Sequence, residues 1–113
     1  MYDSHTVYMQ MTLLLHNDTT AVVERQINLP KWYQPQQGQW IYHNDLGGLA
    51  KIGPVIFDGT RDAFVPVLVG TAFDLSMNLD EWLAANPGWY GAKIPFVVLN
   101  KKKLEQDTDG NEP

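Results

Sequence analysis

There is not one cysteine in the 113 residues. Disulfides, thiol nucleophiles and zinc–thiolate sites are therefore excluded, and the composition suits a reducing compartment, so a cytoplasmic protein is expected. Basic residues are scarce as well. Eight Lys plus Arg stand against thirteen Asp plus Glu, a net charge of −5. The one basic run, Lys101-Lys102-Lys103, is followed by Glu105, Asp107, Asp109 and Glu112, which repel a phosphate backbone, so no nucleic-acid partner is expected. The apolar runs are of strand length and broken by Gly or Pro, too short for a spanning helix, and no membrane association is expected. Met1 to His5 carries neither the basic nor the apolar part of a secretion signal. The three histidines, His5, His16 and His43, show no H-x-x-x-H or H-x-H spacing, and neither a metal nor an organic cofactor is expected.

What the chain does have is a core's worth of apolar residues, arranged mostly at the period of a strand. Hydrophobic residues make up 44% of the sequence, enough for a domain of this length to fold without a staple. Val7, Met9, Met11, Leu13 and Leu15 alternate with Tyr8, Gln10, Thr12, Leu14 and His16; Ala21, Val23, Ile27 and Leu29 repeat the pattern. His16 to Thr20 lies between, with Asn17 and Asp18 suited to a left-handed turn. For both odd-numbered rows to share a face, paired positions must sum to an even number. A three- or five-residue turn centred on Asp18 meets this and sets Leu13 opposite Val23, Met9 opposite Ile27 and Met11 opposite Arg25.

Lys31 to Gly38, with Pro35 and three glutamines, reads as a loop, and Gln39 to His43 as a short strand. Leu49–Phe57 and Ala63–Val69 are apolar on both faces and joined by Asp58-Gly59-Thr60-Arg61-Asp62, a hairpin signal. Pro54 and Pro66 cannot donate to a ladder, so a bulge or an edge is expected at each. One helix is well specified over about 79–85. Asn78 is a cap with Glu81 three residues on, Met77 and Trp82 stand at the positions of a hydrophobic staple, and Asn86-Pro87-Gly88 stops it. Ile94–Leu99 reads as a last strand. The expected fold is thus α+β, a mainly antiparallel sheet of five to six strands with one short helix packed on it. Residues 1–102 form a single domain and 103–113 an acidic tail too polar to pack.

Catalytic patterns are missing. Asp58 has Ile56, not a second aspartate, two positions before it, so Asp58-Gly59 reads as turn chemistry. No serine sits in G-x-S-x-G, and Gly47-Gly48 precedes no Lys-Ser or Lys-Thr. The chain is read as more in keeping with a binding protein than an enzyme. Trp32, Tyr33, Trp40 and Tyr42 fall within eleven residues, interleaved with Gln34, Gln36, Gln37, Gln39, His43 and Asn44. Rings beside amides suit a protein interface, a stacked small molecule, or a plain core. Arg25, the one charge on an apolar strand face, is either an anion anchor or a side chain whose stem packs while its head escapes. Two functions follow. The first is a non-enzymatic binding or assembly protein that uses Trp32–Asn44 for self-association, most simply as a homodimer, or to bind a protein partner. The second is a small-ligand domain with a pocket walled by Trp32, Trp40, Trp82 and Trp89 and a polar group from Arg25 or His43.

Overall fold

The computed structural model describes residues 3–95. Six strands form one mostly antiparallel sheet: β1 (Ser4–Leu15), β2 (Thr20–Pro30), β3 (Trp40–His43), β4 (Gly48–Asp58), β5 (Ala63–Asp74) and β6 (Trp89–Gly91). A single short helix, α1 (Leu79–Ala85), precedes β6. In space the order is β3-β4-β5-β1-β2-β6. Every neighbouring pair is antiparallel except β1 and β5.

The β1–β2 alternation holds, with odd-numbered Val7, Met9, Leu13, Leu15, Val23, Ile27 and Leu29 all buried. The register keeps the even parity but differs by two residues. Val7 faces Ile27, Met9 faces Arg25, Met11 faces Val23 and Leu13 faces Ala21, so the turn centres on Asn17. The cause is tertiary. The backbone N–H of His16 donates to Met77 O at 2.9 Å, which pulls His16 out of the strand. Asn17 and Asp18 then both take left-handed φ values of 58° in a 3-10 turn over His16–Asp18.

β5 is longer than its apolar run implied. Its first part pairs with β4; from Val67 onward it runs parallel to β1, reaching Leu15 opposite Asp74. Gly70, at φ 92°, lies at the change of partner, where the β1 register shifts between Gln10 and Thr12. The expected irregularity at Pro54 is present as a register shift between Ile52 and Val55. Pro66 stands just before the parallel ladder begins at Val67, so its missing N–H falls outside it.

The sheet is curled. Ile41 belongs to edge strand β3, yet it packs in one buried cluster with Val7 and Met9 of β1 and Ile27 and Leu29 of β2. A second cluster, Leu13, Leu15, Val23 and Trp82, forms where α1 docks, with Met77, Leu79, Leu83 and Trp89 packed against it. The capping box is complete: Glu81 N–H donates to Asn78 Oδ1 and Asn78 N–H to a Glu81 carboxylate oxygen, at 2.9 and 3.0 Å. Seven residues of helix hold only because Trp82 is buried by this docking. Ile94 is half exposed in a bend rather than in a strand. The rest of the expected strand to Leu99, and the expected tail 103–113, lie outside the described residues. Among the described residues no helix is long and apolar enough to cross a membrane.

Candidate functional site

The aromatic segment splits into parts with different fates. Trp32 and Tyr33 meet edge to face with centroids 6.0 Å apart. Tyr33 turns into the first core cluster and donates its hydroxyl to Gln39 Oε1 at 3.1 Å, whereas Trp32 is 81% exposed. On β3 the strand period puts Ile41 inward and Trp40 and Tyr42 outward. No ring contact joins these two to Trp32 or Tyr33, so the four rings do not form one cluster.

The outward face of β3 continues onto its neighbours. Trp40 pairs with Lys51 and Tyr42 with Leu49 across β3–β4. Ile52 pairs with Leu68, which carries the row from Lys51 on to Val69 of β5. A Cβ on Gly53 would come within 3.3 Å of the Val69 side chain and 2.7 Å of the Val67 carbonyl oxygen, so only glycine fits this close approach. Trp40 is 62% exposed, Tyr42 74%, Leu49 65% and Val69 58%. The one charge set among them, the Lys51 ammonium, lies 5.8 Å from the Trp40 ring centre. Among the described residues β3 is one of the sheet's two edge strands, β6 being the other.

Arg25 and His43 do converge, on a residue that sequence reasoning passed over. Asp45 receives the Arg25 guanidinium at 3.5 Å, and its backbone N–H donates to His43 Nδ1 at 3.0 Å. Arg25 also donates to the Pro87 carbonyl oxygen at 2.9 Å, and its guanidinium lies where a Gly88 Cβ would stand. The anion that Arg25 anchors is thus the protein's own, and the contact ties the β3–β4 turn to β2 and to the helix end.

A second polar group occupies the opposite face of the sheet. Glu24, at an even position where the strand period points away from the core, is nevertheless only 2% exposed. It lies in a cross-strand row with Gln10 of β1 and Tyr90 of β6, and the β4–β5 turn brings Arg61 onto it. The Glu24 carboxylate accepts from Arg61 twice, at 2.7 and 3.0 Å, from Tyr90 Oη at 2.6 Å and from Gln10 Nε2 at 3.0 Å. Arg61 further donates to Asp58 at 2.8 Å and stacks over Tyr8, 4.1 Å from the ring centre. Asp58 accepts from Thr60 N–H, the expected turn chemistry, besides holding Arg61.

These contacts set the acidities. Burial pushes Glu24 up, but hydrogen bonds from Arg61, Tyr90 and Gln10, with the Arg61 charge, prevail and hold it below the usual carboxylate value. The Arg61 hydrogen bond likewise holds Asp58 low, and the Glu24 carboxylate pushes Arg61 higher still. Burial, then the Glu24 carboxylate, push the Tyr90 phenol up to about 12. Both oxygens of Glu24 already accept two hydrogen bonds each, which fills a carboxylate's lone pairs. Such a group has no free site from which to take a substrate proton. It is a clasp, not a base.

No family model, curated protein or solved structure matches this chain. The site is therefore read from its own chemistry. Among the described residues no three His, Asp or Glu side chains are grouped as a metal would need.

Proposed function

We propose that this chain is a non-enzymatic binding and assembly protein that associates with a second copy of itself through the outer face of β3, β4 and β5. One observation carries the reading: Trp40, Tyr42, Leu49 and Val69, each more than half exposed, share with Lys51 one face that ends, among the described residues, at an edge strand. An exposed aromatic ring leaves on the order of 100–150 Å² in water, so the patch reaches several hundred Å², the size at which apolar surface marks a contact site. Covering it recovers several kcal/mol at about 25 cal/mol per Å². A stable interface needs about 800 Å² from each partner, so this face supplies the interface core and the surrounding polar residues the rim.

The partner is a second copy because a two-fold axis lets one apolar face satisfy another of the same kind. The edge strand β3 can then pair with its symmetry mate. A lone lysine among rings suits such an interface, since it lies over Trp40 and leaves no carboxylate to be stranded on closure.

Sedimentation velocity over a concentration series tests this. The wild type is expected to sediment as a dimer and the Trp40→Ala/Tyr42→Ala variant as a monomer with an unchanged melting temperature. A wild type that remains monomeric at several hundred micromolar defeats the proposal.

A further inference from the structure

Protein interiors are normally packed like organic crystals, with few voids larger than a water molecule. The sheet departs from that where β4 and β5 part, in a cleft lined from both of its faces and open to solvent. The sheet's buried side chains fall into two clusters, and Met11 is the one side chain that packs against both. Beside Met11 lies a cavity of about 390 Å³. Leu46 and Leu68 wall it from the first cluster, Ala72 and Trp89 from the second. The backbone accounts for the gap. At Val69–Gly70, β5 leaves β4 for β1 through a register shift and a left-handed glycine, and the side chains available there, Ala50 and Ala72, are too small to fill the opening.

We infer that this cavity is a binding site for a small amphipathic carboxylate. Its body is a hydrocarbon chain or fused aryl group of about eight to ten carbons. Two observations fix the class. The first is size and polarity. The space of about 390 Å³ has mostly apolar walls and opens to solvent beside Trp40, Leu49 and Lys51, so an apolar body can enter while a polar head stays in water. The second is charge. Among the described residues Lys51 is the only charged one lining the cavity and no carboxylate lines it, while Thr71 adds a hydroxyl. Lys51 is exposed and holds its ammonium over the Trp40 ring, so a carboxylate at the mouth gains a cation while the apolar body enters beside Met11. The ligand joins the two clusters into one core. The inference does not require self-association, and the two compete: Trp40, Leu49, Lys51 and Val69 line the cavity and also belong to the outer face, so the site is open in the monomer and covered in a dimer.

Decanoate and 1-decanol, titrated into the full chain below their aggregation limits, are suitable probes. Trp40 and Trp89 in the lining report binding by fluorescence, and calorimetry gives the stoichiometry. One decanoate per chain is expected. Lys51→Met should weaken decanoate about tenfold while leaving decanol unchanged, because only the ionic contact is lost. Ala72→Phe should abolish binding of both by filling the cavity. Should that variant fail to give a cooperative melt, Ala50→Phe fills it from the other wall. Absence of saturable decanoate binding, undiminished binding in a folded filled variant, or equal losses of acid and alcohol with Lys51→Met each overturn the inference. Sedimentation of the same samples separates the two proposals. A wild type that stays monomeric and binds decanoate removes self-association alone, and a chain that dimerises yet binds none even at dilutions where it sediments as a monomer removes the carboxylate site alone.

Discussion

Arg61→Met is the most informative single change in the polar clasp. It deletes two hydrogen bonds to a carboxylate that is 2% exposed and a third to Asp58. Removing one side of a fully buried ion pair costs about 3–5 kcal/mol, because the other charge is stranded. Arg61 itself is 27% exposed, so water can reach part of the vacated space, and Tyr90 and Gln10 still donate to Glu24. A loss of about 2–3 kcal/mol is expected. The same logic fixes a pH signature. Glu24 is held below its ordinary 4.5 in the folded state, so its contribution is complete above that value and is lost as pH falls through the lower folded one. Asp58, also lowered, adds in the same direction. Urea titrations at pH 7, 5, 4 and 3, followed by tryptophan fluorescence, should show wild-type stability falling on the acid side. Glu24→Gln and Arg61→Met should each have a shallower fall. In a double-mutant cycle the pair should couple by about 1–3 kcal/mol. An Arg61→Met variant within about 0.5 kcal/mol of wild type at pH 7, with an unchanged acid slope, refutes the clasp.

The Tyr90 phenol, pushed up to about 12, stabilises the fold below its ordinary value of 10 and loses that contribution as pH rises through the folded one. Alkaline absorbance titration should show one tyrosine ionising late in the wild type and nearer 10 in Glu24→Gln. Asn78→Ala should cost about 1 kcal/mol by denaturant titration through loss of the capping box. Trp82→Ala should cost about 3 kcal/mol or more, since it opens the helix–sheet contact. Gly88→Ala should cost about 1–2 kcal/mol, because φ is +97° there and the new Cβ would lie 2.5 Å from the Arg25 guanidinium; a neutral result in a thermal melt would show that Arg25 moves aside freely.

The elements governed by local chemistry were legible in the sequence. The β1–β2 alternation is a periodic signal over a long span, the helix start is written by Asn78, Glu81 and Trp82, and Asp58-Gly59 marks its turn. What depends on distant contacts was not. The β1–β2 register shifted because Met77 captures His16, and nothing near residue 16 announces a partner at 77. The apolar run ends at Val69, but β5 continues to Asp74, because Gly70 is the bend that lets the strand go on beside β1. For the candidate site, the outward Trp40 and Tyr42 follow from the strand period, and Arg25 and His43 were flagged without Asp45, the residue that joins them. Glu24 stands at an even position beside Arg25 and Gln26, where the alternation points to solvent. Its burial comes from Arg61 and Tyr90, both far along the sequence. The register expected from the sequence hides it further, since it sets Glu24 opposite Thr12 and not opposite Gln10.

The parallel pairing of β1 with β5 has a consequence for the order of folding during synthesis. β1 is a central strand, and the partner on its far side lies about sixty residues downstream. At translation rates of about 5–20 residues per second, the β1–β2 hairpin leaves the ribosome seconds before β5 can close against it. Through that interval Leu13 and Leu15 have no cover, and one full edge of β1 offers unpaired N–H and C=O groups to any neighbouring nascent chain. Slower translation between β2 and β5 therefore lengthens the period in which the chain is open to misassembly. Synonymous codon changes in that stretch should alter soluble yield without altering the purified protein.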